Sequence, residues 1–229
     1  IYRLWDDRFD FDKGLYWVQP LLDATEYTIS SIDASGGKDG FTGGDSFRPS
    51  VNSYMYANAR ALARLARLAG EPESVAAEFD ARAAAIKTRV QDDLWSAKFG
   101  HFIDRYKVDN EFVKYWAPIR GRELVGYLPW TFDLPDDTAK FAGAWKHLLD
   151  PALLAGQAGM RTVEATYEHY MRQYRYEGTA PECQWNGPVW PFQTTQVLLG
   201  MANLLDHYDQ SVVTRADYLR LLRQYTRLH

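Results

Sequence analysis

An all-α fold is what the sequence predicts, and three observations predict it. Apolar residues recur at helical spacing through several long segments, strand-like alternation is poor throughout, and the connections are long, aromatic and rich in glycine and proline. From Ser50 to Ala69 the apolar positions are Val51, Tyr54, Met55, Ala59, Leu62, Leu65, Ala66 and Ala69, with Ser50 placed as a cap and Gly70 as a stop. Glu71-Pro72-Glu73-Ser74 opens the next helix, whose inner face is Val75, Phe79, Ala83, Ile86, Val90 and Leu94. The two should pack as an antiparallel hairpin. Residues 96 to 135 read as irregular, with short strands around Gly100–Arg105. Asp136 to Leu149 reads as a further helix through Phe141, Trp145 and Leu148, and Thr162 to Tyr170 as either a helix or a turn. Pro188 to Tyr208 reads as the longest apolar helix, and Thr214 to Leu228 as a last helix behind a Thr214-Arg215-Ala216-Asp217 cap. Ser30 to Arg48 is a glycine-rich connection carrying Asp33, Lys38, Asp39 and Asp45, and a structureless stretch of that length is expected to be functional.

Composition narrows the function. Of 229 residues, 46% are hydrophobic, enough for a real core, and 8 Trp, 15 Tyr and 11 Phe make 15% of the chain aromatic. Trp and Tyr are the side chains that line carbohydrate clefts. A net charge of −4 and the lack of any basic run argue against a nucleic-acid partner. No apolar run approaches the roughly 20 residues of a membrane span. No signal peptide is visible, and the chain opens at Ile1-Tyr2-Arg3 without an initiator Met. The single Cys183 excludes an internal disulfide framework and leans weakly toward a cytoplasmic setting.

The segment Cys183-Gln184-Trp185-Asn186-Gly187-Pro188-Val189-Trp190-Pro191-Phe192 carries the most chemistry. A Trp face stacks on the C–H face of a sugar, and an amide such as Asn186 can donate to and accept from hydroxyls. Gly187 allows close backbone approach, and Pro188 suits the first turn of a helix. The alternative is a loop whose tryptophans plug a core. Two further clusters lie upstream. Tyr16 and Trp17 precede Asp23 and Glu26, two carboxylates three positions apart that share one face of a helix or turn. Near aromatics such a pair can split its pKa values into an acid and an ionised partner, although an acidic first turn of a solvated helix has the same spelling. Arg48 stands just before a helix, where it can bind a hydroxyl or hold a carboxylate, and Asn52 on an apolar helical face needs a buried partner. A third cluster, Arg120 to Trp130, again joins charge, glycine and aromatics. His101, His147, His169, His207 and His229 have no paired spacing, so no metal site is expected. No phosphate-binding glycine loop and no cofactor motif is present, and Cys183 beside Glu182 reads as structural.

These clusters resemble the (α/α)6-barrel glycoside hydrolases of the family 63 type, which include mannosylglycerate hydrolase-like enzymes and processing α-glucosidases, with trehalases more distant. The matching pieces run from Asp23 to Ser30, Phe47 to Gly70, Leu94 to Phe102, Arg122 to Phe132 and Cys183 to Gln196. The resemblance implies an inverting hydrolase of α-linked glucosides or mannosides. It places the general acid at Glu26, where relatives carry Asp after a glycine; Asp23 stays as the alternative. It implies sugar contacts from Tyr16, Trp17, Arg48, Asn52, Trp130, Trp185, Asn186, Gly187 and Trp190, and a carbohydrate as the partner. The general base is expected beyond His229, so residues 1–229 are expected to be a partial barrel of six or seven helices. Its apolar flank would be covered by another chain or segment. The rival reading is a non-catalytic sugar-binding or scaffold remnant.

Overall fold

The computed structural model describes residues 2–228. Its eight α-helices are α1 (Ile29–Ala34), α2 (Pro49–Ala69), α3 (Glu73–Arg89), α4 (Leu128–Thr131), α5 (Ala139–Ala142), α6 (Lys146–Leu149), α7 (Pro191–His207) and α8 (Arg215–Thr226). Extended structure among the described residues consists of four antiparallel two-residue pairs, Phe9–Asp10 with Leu15–Tyr16, Ser46–Phe47 with Arg105–Tyr106, Trp95–Ser96 with His101–Phe102, and Tyr176–Glu177 with Ala180–Pro181, together with isolated bridges such as Glu123 with Val163.

The helix ends follow local chemistry. α2 is entered through extended Arg48 and Pro49, whose missing N–H costs nothing in a first turn, and it stops at Gly70 in the left-handed conformation (φ 74°). Ser50 is therefore inside the helix rather than its cap, and its hydroxyl is spent on Asp23. The short turn at Gly70-Glu71-Pro72 sends α3 back along α2, and the small residues Ala63, Ala66 and Ala76 let the two approach closely. A single π turn, Val90–Leu94, extends α3. Thr214 and Asp217 form a reciprocal capping box on α8.

Three expected elements differ. The helix expected from Asp136 begins only at Ala139, where the Thr138 hydroxyl caps the Phe141 N–H, and a 3-10 turn at Gly143–Trp145 interrupts it. Asp136 and Asp137 are engaged elsewhere, with Lys87 and with the Asp209 N–H. The helix expected from Pro188 starts at Pro191 because Gly187 (φ 142°) and extended Trp190 carry the chain past Pro188 first. At 17 residues it is shorter than the 21 of α2. The glycine-rich connection opens with α1 instead of being structureless, and Thr162–Tyr170 is a turn segment, not a helix, with Val163 bridged to Glu123.

Two cores result. The larger lies between α2, α3, α4, α7 and α8 and is centred on buried Met55, Phe102, Tyr127, Trp130, Trp145 and Met201. A second, under the long connections, gathers Tyr27, Ile29, Ile32, Ile103, Tyr106, Ile119, Val163 and Tyr167. This loop layer sits at the N-terminal ends of α2 and α7. Those ends lie side by side, since Tyr54 Oη donates to Gln196 Oε1 at 2.6 Å. Away from them, Leu65 and Leu68 of α2, Leu199 of α7 and Leu219 of α8 are exposed.

Candidate active site

Glu26 lies in a strained loop. Its neighbours Ala24 (φ 52°) and Tyr27 (φ 61°) both adopt the left-handed backbone that costs non-glycine residues on the order of 1 kcal/mol each. The surroundings hold that shape. Tyr27 N–H donates to Gly40 O at 2.8 Å, the Tyr27 ring stacks on Tyr174 at 5.6 Å, and the Glu26 carbonyl accepts the Trp185 N–H at 3.2 Å. The Glu26 carboxylate is half-buried and has no hydrogen-bond or ion-pair partner among the described residues. The backbone is thus bent at a cost around Glu26, whose main chain is tied to that of Trp185.

Asp23 differs. Its Oδ2 accepts from Ser50 Oγ at 2.7 Å and from Arg48 Nη1 at 3.3 Å, with 15% of the side chain still exposed. Burial pushes its carboxyl above the ordinary value, against the opposing pulls of Arg48 and Ser50. Behind it, Arg48 is completely enclosed. Its Nε meets Asp104 Oδ2 at 2.8 Å and its Nη2 meets Glu123 Oε2 at 3.2 Å; Nη1 also reaches the Thr25 hydroxyl. One guanidinium cannot neutralise three carboxylates, and burial raises both Asp104 and Glu123. His101, also enclosed, donates from Nε2 to the Glu123 carbonyl at 2.9 Å, and burial lowers its pKa to about 3. Asp104 and Glu123 are both buried. Glu123 lies within the Arg120–Trp130 cluster marked from the sequence, without being marked itself, whereas Asp104 lies in a stretch whose spelling is equally that of a surface loop.

The tryptophan segment is tied to Glu26 through the backbone. Trp185 and Trp190 stack at 5.2 Å with planes 12° apart, and Phe192, 54% exposed, meets Trp185 edge-on at 6.4 Å. Trp190 Nε1 donates to Gln184 O at 2.7 Å, fixing the ring. Trp185 is itself nearly buried, so Trp190 and Phe192 present the open faces. Phe192, in the same motif as the tryptophans, was not among the residues the sequence marked, and it is the more exposed ring.

Several expected sugar contacts face inward instead. Asn186 is fully enclosed, donating to His169 O at 2.9 Å and Arg172 O at 2.8 Å while accepting from Gln184, so it staples the loop. Gly187 is pressed against the Tyr170 ring, where a Cβ would sit 2.6 Å away. Asn52 Oδ1 accepts the Tyr16 N–H at 2.8 Å, and its Nδ2 donates to Tyr16 O and Arg48 O; Tyr16 is buried with it. Trp130 has no exposed surface, being packed against Phe102, Tyr127 and Trp145. Trp17 is half-buried, with the Arg8 guanidinium 4.5 Å from its ring centre. Arg48 is likewise enclosed, its guanidinium spent on Asp23, Asp104, Glu123 and the Thr25 hydroxyl. In each case the polar or aromatic group meets a protein partner first. Cys183 is exposed rather than part of a core, and Glu182 pairs with Arg175 at 2.9 Å. His229 lies outside the described residues.

Comparison with known proteins places this geometry. Residues 1–229 match the mannosylglycerate hydrolase MGH1-like glycoside hydrolase domain family. No curated protein sequence matches. Among solved structures, a protein titled sialidase is 32% identical with a TM-score of 0.84, the match covering 99% of this chain and 19% of that one. The GH63 mannosylglycerate hydrolase of Thermus thermophilus, solved with Tris, is 18% identical with a TM-score of 0.60, covering 80% of this chain and 38% of that one. Neutral trehalase of Saccharomyces cerevisiae is 14% identical with a TM-score of 0.54, over 79% and 30%. The chain thus spans less than two fifths of each. Its mostly helical fold is that of part of a GH63- and trehalase-type (α/α)6 barrel.

Proposed function

The chain belongs to the MGH1-like glycoside hydrolase domain family, and from that premise we propose that it supplies the acid and the aromatic wall of an inverting hydrolase of α-linked glucosides or mannosides. The observation that carries the reading is the unpaired Glu26 carboxylate, flanked by two left-handed residues and tied through its backbone to Trp185. Glu26 protonates the departing glycosidic oxygen. Trp190 and Phe192 offer the apolar faces on which a pyranose ring stacks. Asp23, restrained by Ser50 and Arg48, shapes the adjoining rim. Inversion requires a second carboxylate about 6.5–9.5 Å from the first, leaving room for a water. Asp104 and Glu123 are enclosed and paired with Arg48, so neither is proposed as that base.

Asp23 as the acid is the second reading, favoured by its raised carboxyl pKa. One comparison separates the two. In the full-length protein, Glu26→Gln is expected to slow hydrolysis of alkyl α-glycosides by ~10²–10⁴-fold, the usual share of acid catalysis. Aryl glycosides with good leaving groups, needing little protonation, should lose far less. Asp23→Asn should have the smaller effect. The reverse order would move the acid to Asp23, and full activity in both variants would favour a sugar-binding role. A sialoside in the same panel tests whether the activity in the sialidase's title belongs to the matching part.

A further inference from the structure

We infer that Arg48 and Glu123 are positioning residues for Glu26, gripping the loop on either side of it; the inference rests on Glu26 being the acid. Arg48 holds the upstream side through the Asp23 carboxylate (3.3 Å) and the Thr25 hydroxyl. Glu123 holds the downstream side, where Oε1 accepts the Ile29 N–H at 2.7 Å. The two grips are joined by the contact from Arg48 Nη2 to Glu123 Oε2 at 3.2 Å.

Both anchors are themselves immobile. Arg48 immediately precedes α2, is wholly enclosed, and gives its carbonyl to Asn52 Nδ2 at 2.8 Å. Glu123 is held at three further points: its carbonyl takes the His101 ring N–H, its backbone bridges to Val163, and the adjacent Leu124 N–H donates to Thr162 O at 2.8 Å. Between the grips the backbone turns left-handed at Ala24 and Tyr27, a shape that relaxes unless its surroundings over-determine it. Arg48 cannot touch substrate and Glu123 cannot exchange protons with it, so neither is catalytic. Asp104 holds the Nε edge of Arg48 at 2.8 Å without contacting the loop.

Two measurements on the full-length protein test this. Glu123→Ala removes the downstream grip. Hydrogen exchange of the segment from Thr25 to Ile29 should rise while that of α2 and α7 stays at the wild-type level. On glycosides with poor leaving groups kcat should fall about 10²-fold, the scale of an ångström's misplacement, with KM little changed and good-leaving-group substrates nearly spared. Glu123→Gln keeps an acceptor for the Ile29 N–H and should restore most of both readouts. Should Glu123→Ala fail to fold, Thr25→Val removes the hydroxyl held by Arg48 at nearly constant volume and should give the same signature, weakened. Unchanged exchange at Thr25–Ile29 overturns the inference, as does a loss of activity shared equally by all leaving groups together with faster exchange throughout. If Glu26→Gln leaves hydrolysis intact, the assignment of the acid falls instead, and exchange still decides whether the loop is clamped.

Discussion

Asn52 illustrates what single residues do in this chain. A sequence reader sees a polar residue on an apolar helix face and must choose between ligand and buried partner. The structure spends all three of its hydrogen bonds on Tyr16 and Arg48 backbone atoms, tying the start of α2 to the N-terminal segment. Asn52→Ala removes the side-chain partner of the buried Tyr16 N–H and C=O, while the Arg48 carbonyl keeps the residue-52 backbone N–H, and should lower unfolding free energy by about 3 kcal/mol, read as a shift in the urea midpoint. A value near zero would mean water replaces the amide. Asn186 and Arg48 follow the same logic, because a buried polar group is satisfied by the nearest protein atom. Glu26 is the exception. Its lack of a partner beside a strained backbone distinguishes it from the acids around it.

Elements were the best-read level. The hairpin of α2 and α3 follows from apolar spacing and Gly70, and α8 follows from its cap. Thr214 accepts the Asp217 N–H while Asp217 takes the Thr214 N–H at 3.0 Å, so Thr214→Ala should cost about 1 kcal/mol. Thermal unfolding of the variant, with local exchange at α8, measures it; Thr214→Ser should recover most of the loss. Boundaries misread from sequence have two causes. At Asp136, Pro188 and Ser50 the side chain or backbone found a tertiary partner, or a neighbouring glycine bent the chain, before helix propensity could act.

At the scale of the whole molecule, the enclosed ionisable groups tie stability to pH. Burial raises Glu123 from 4.5 to about 8, so between those values the folded state binds a proton the unfolded chain does not, and stability falls as pH rises. His101, lowered from 6.5 to about 3, acts in the opposite sense: its contribution is lost as pH falls below 6.5. Asp104, raised from 3.8 to about 6, adds to the Glu123 trend only at the acid end. Above about pH 6.5 the Glu123 contribution stands alone of the three. Urea midpoints should therefore decline between about pH 6.5 and 8, by at most about 1.4 kcal/mol per pH unit. Glu123→Gln should flatten that decline, and a slope unchanged in the variant would place the proton elsewhere.

What the sequence determined by itself was the helical class, the four long helices, the aromatic wall motif and the family resemblance. Each of these is written in spacing or in short contiguous strings. Phe47 to Gly70 and Cys183 to Gln196 sufficed to point at the barrel. Tertiary structure alone decided which members of those strings face outward. Arg48, Asp104 and Glu123 are far apart in the chain and meet only because the loop layer folds over the ends of α2 and α7. Whether a Trp is a platform or a plug, and whether an Arg binds sugar or carboxylate, depends on which partner reaches it first. That is set by packing across the molecule, and no local spelling encodes it.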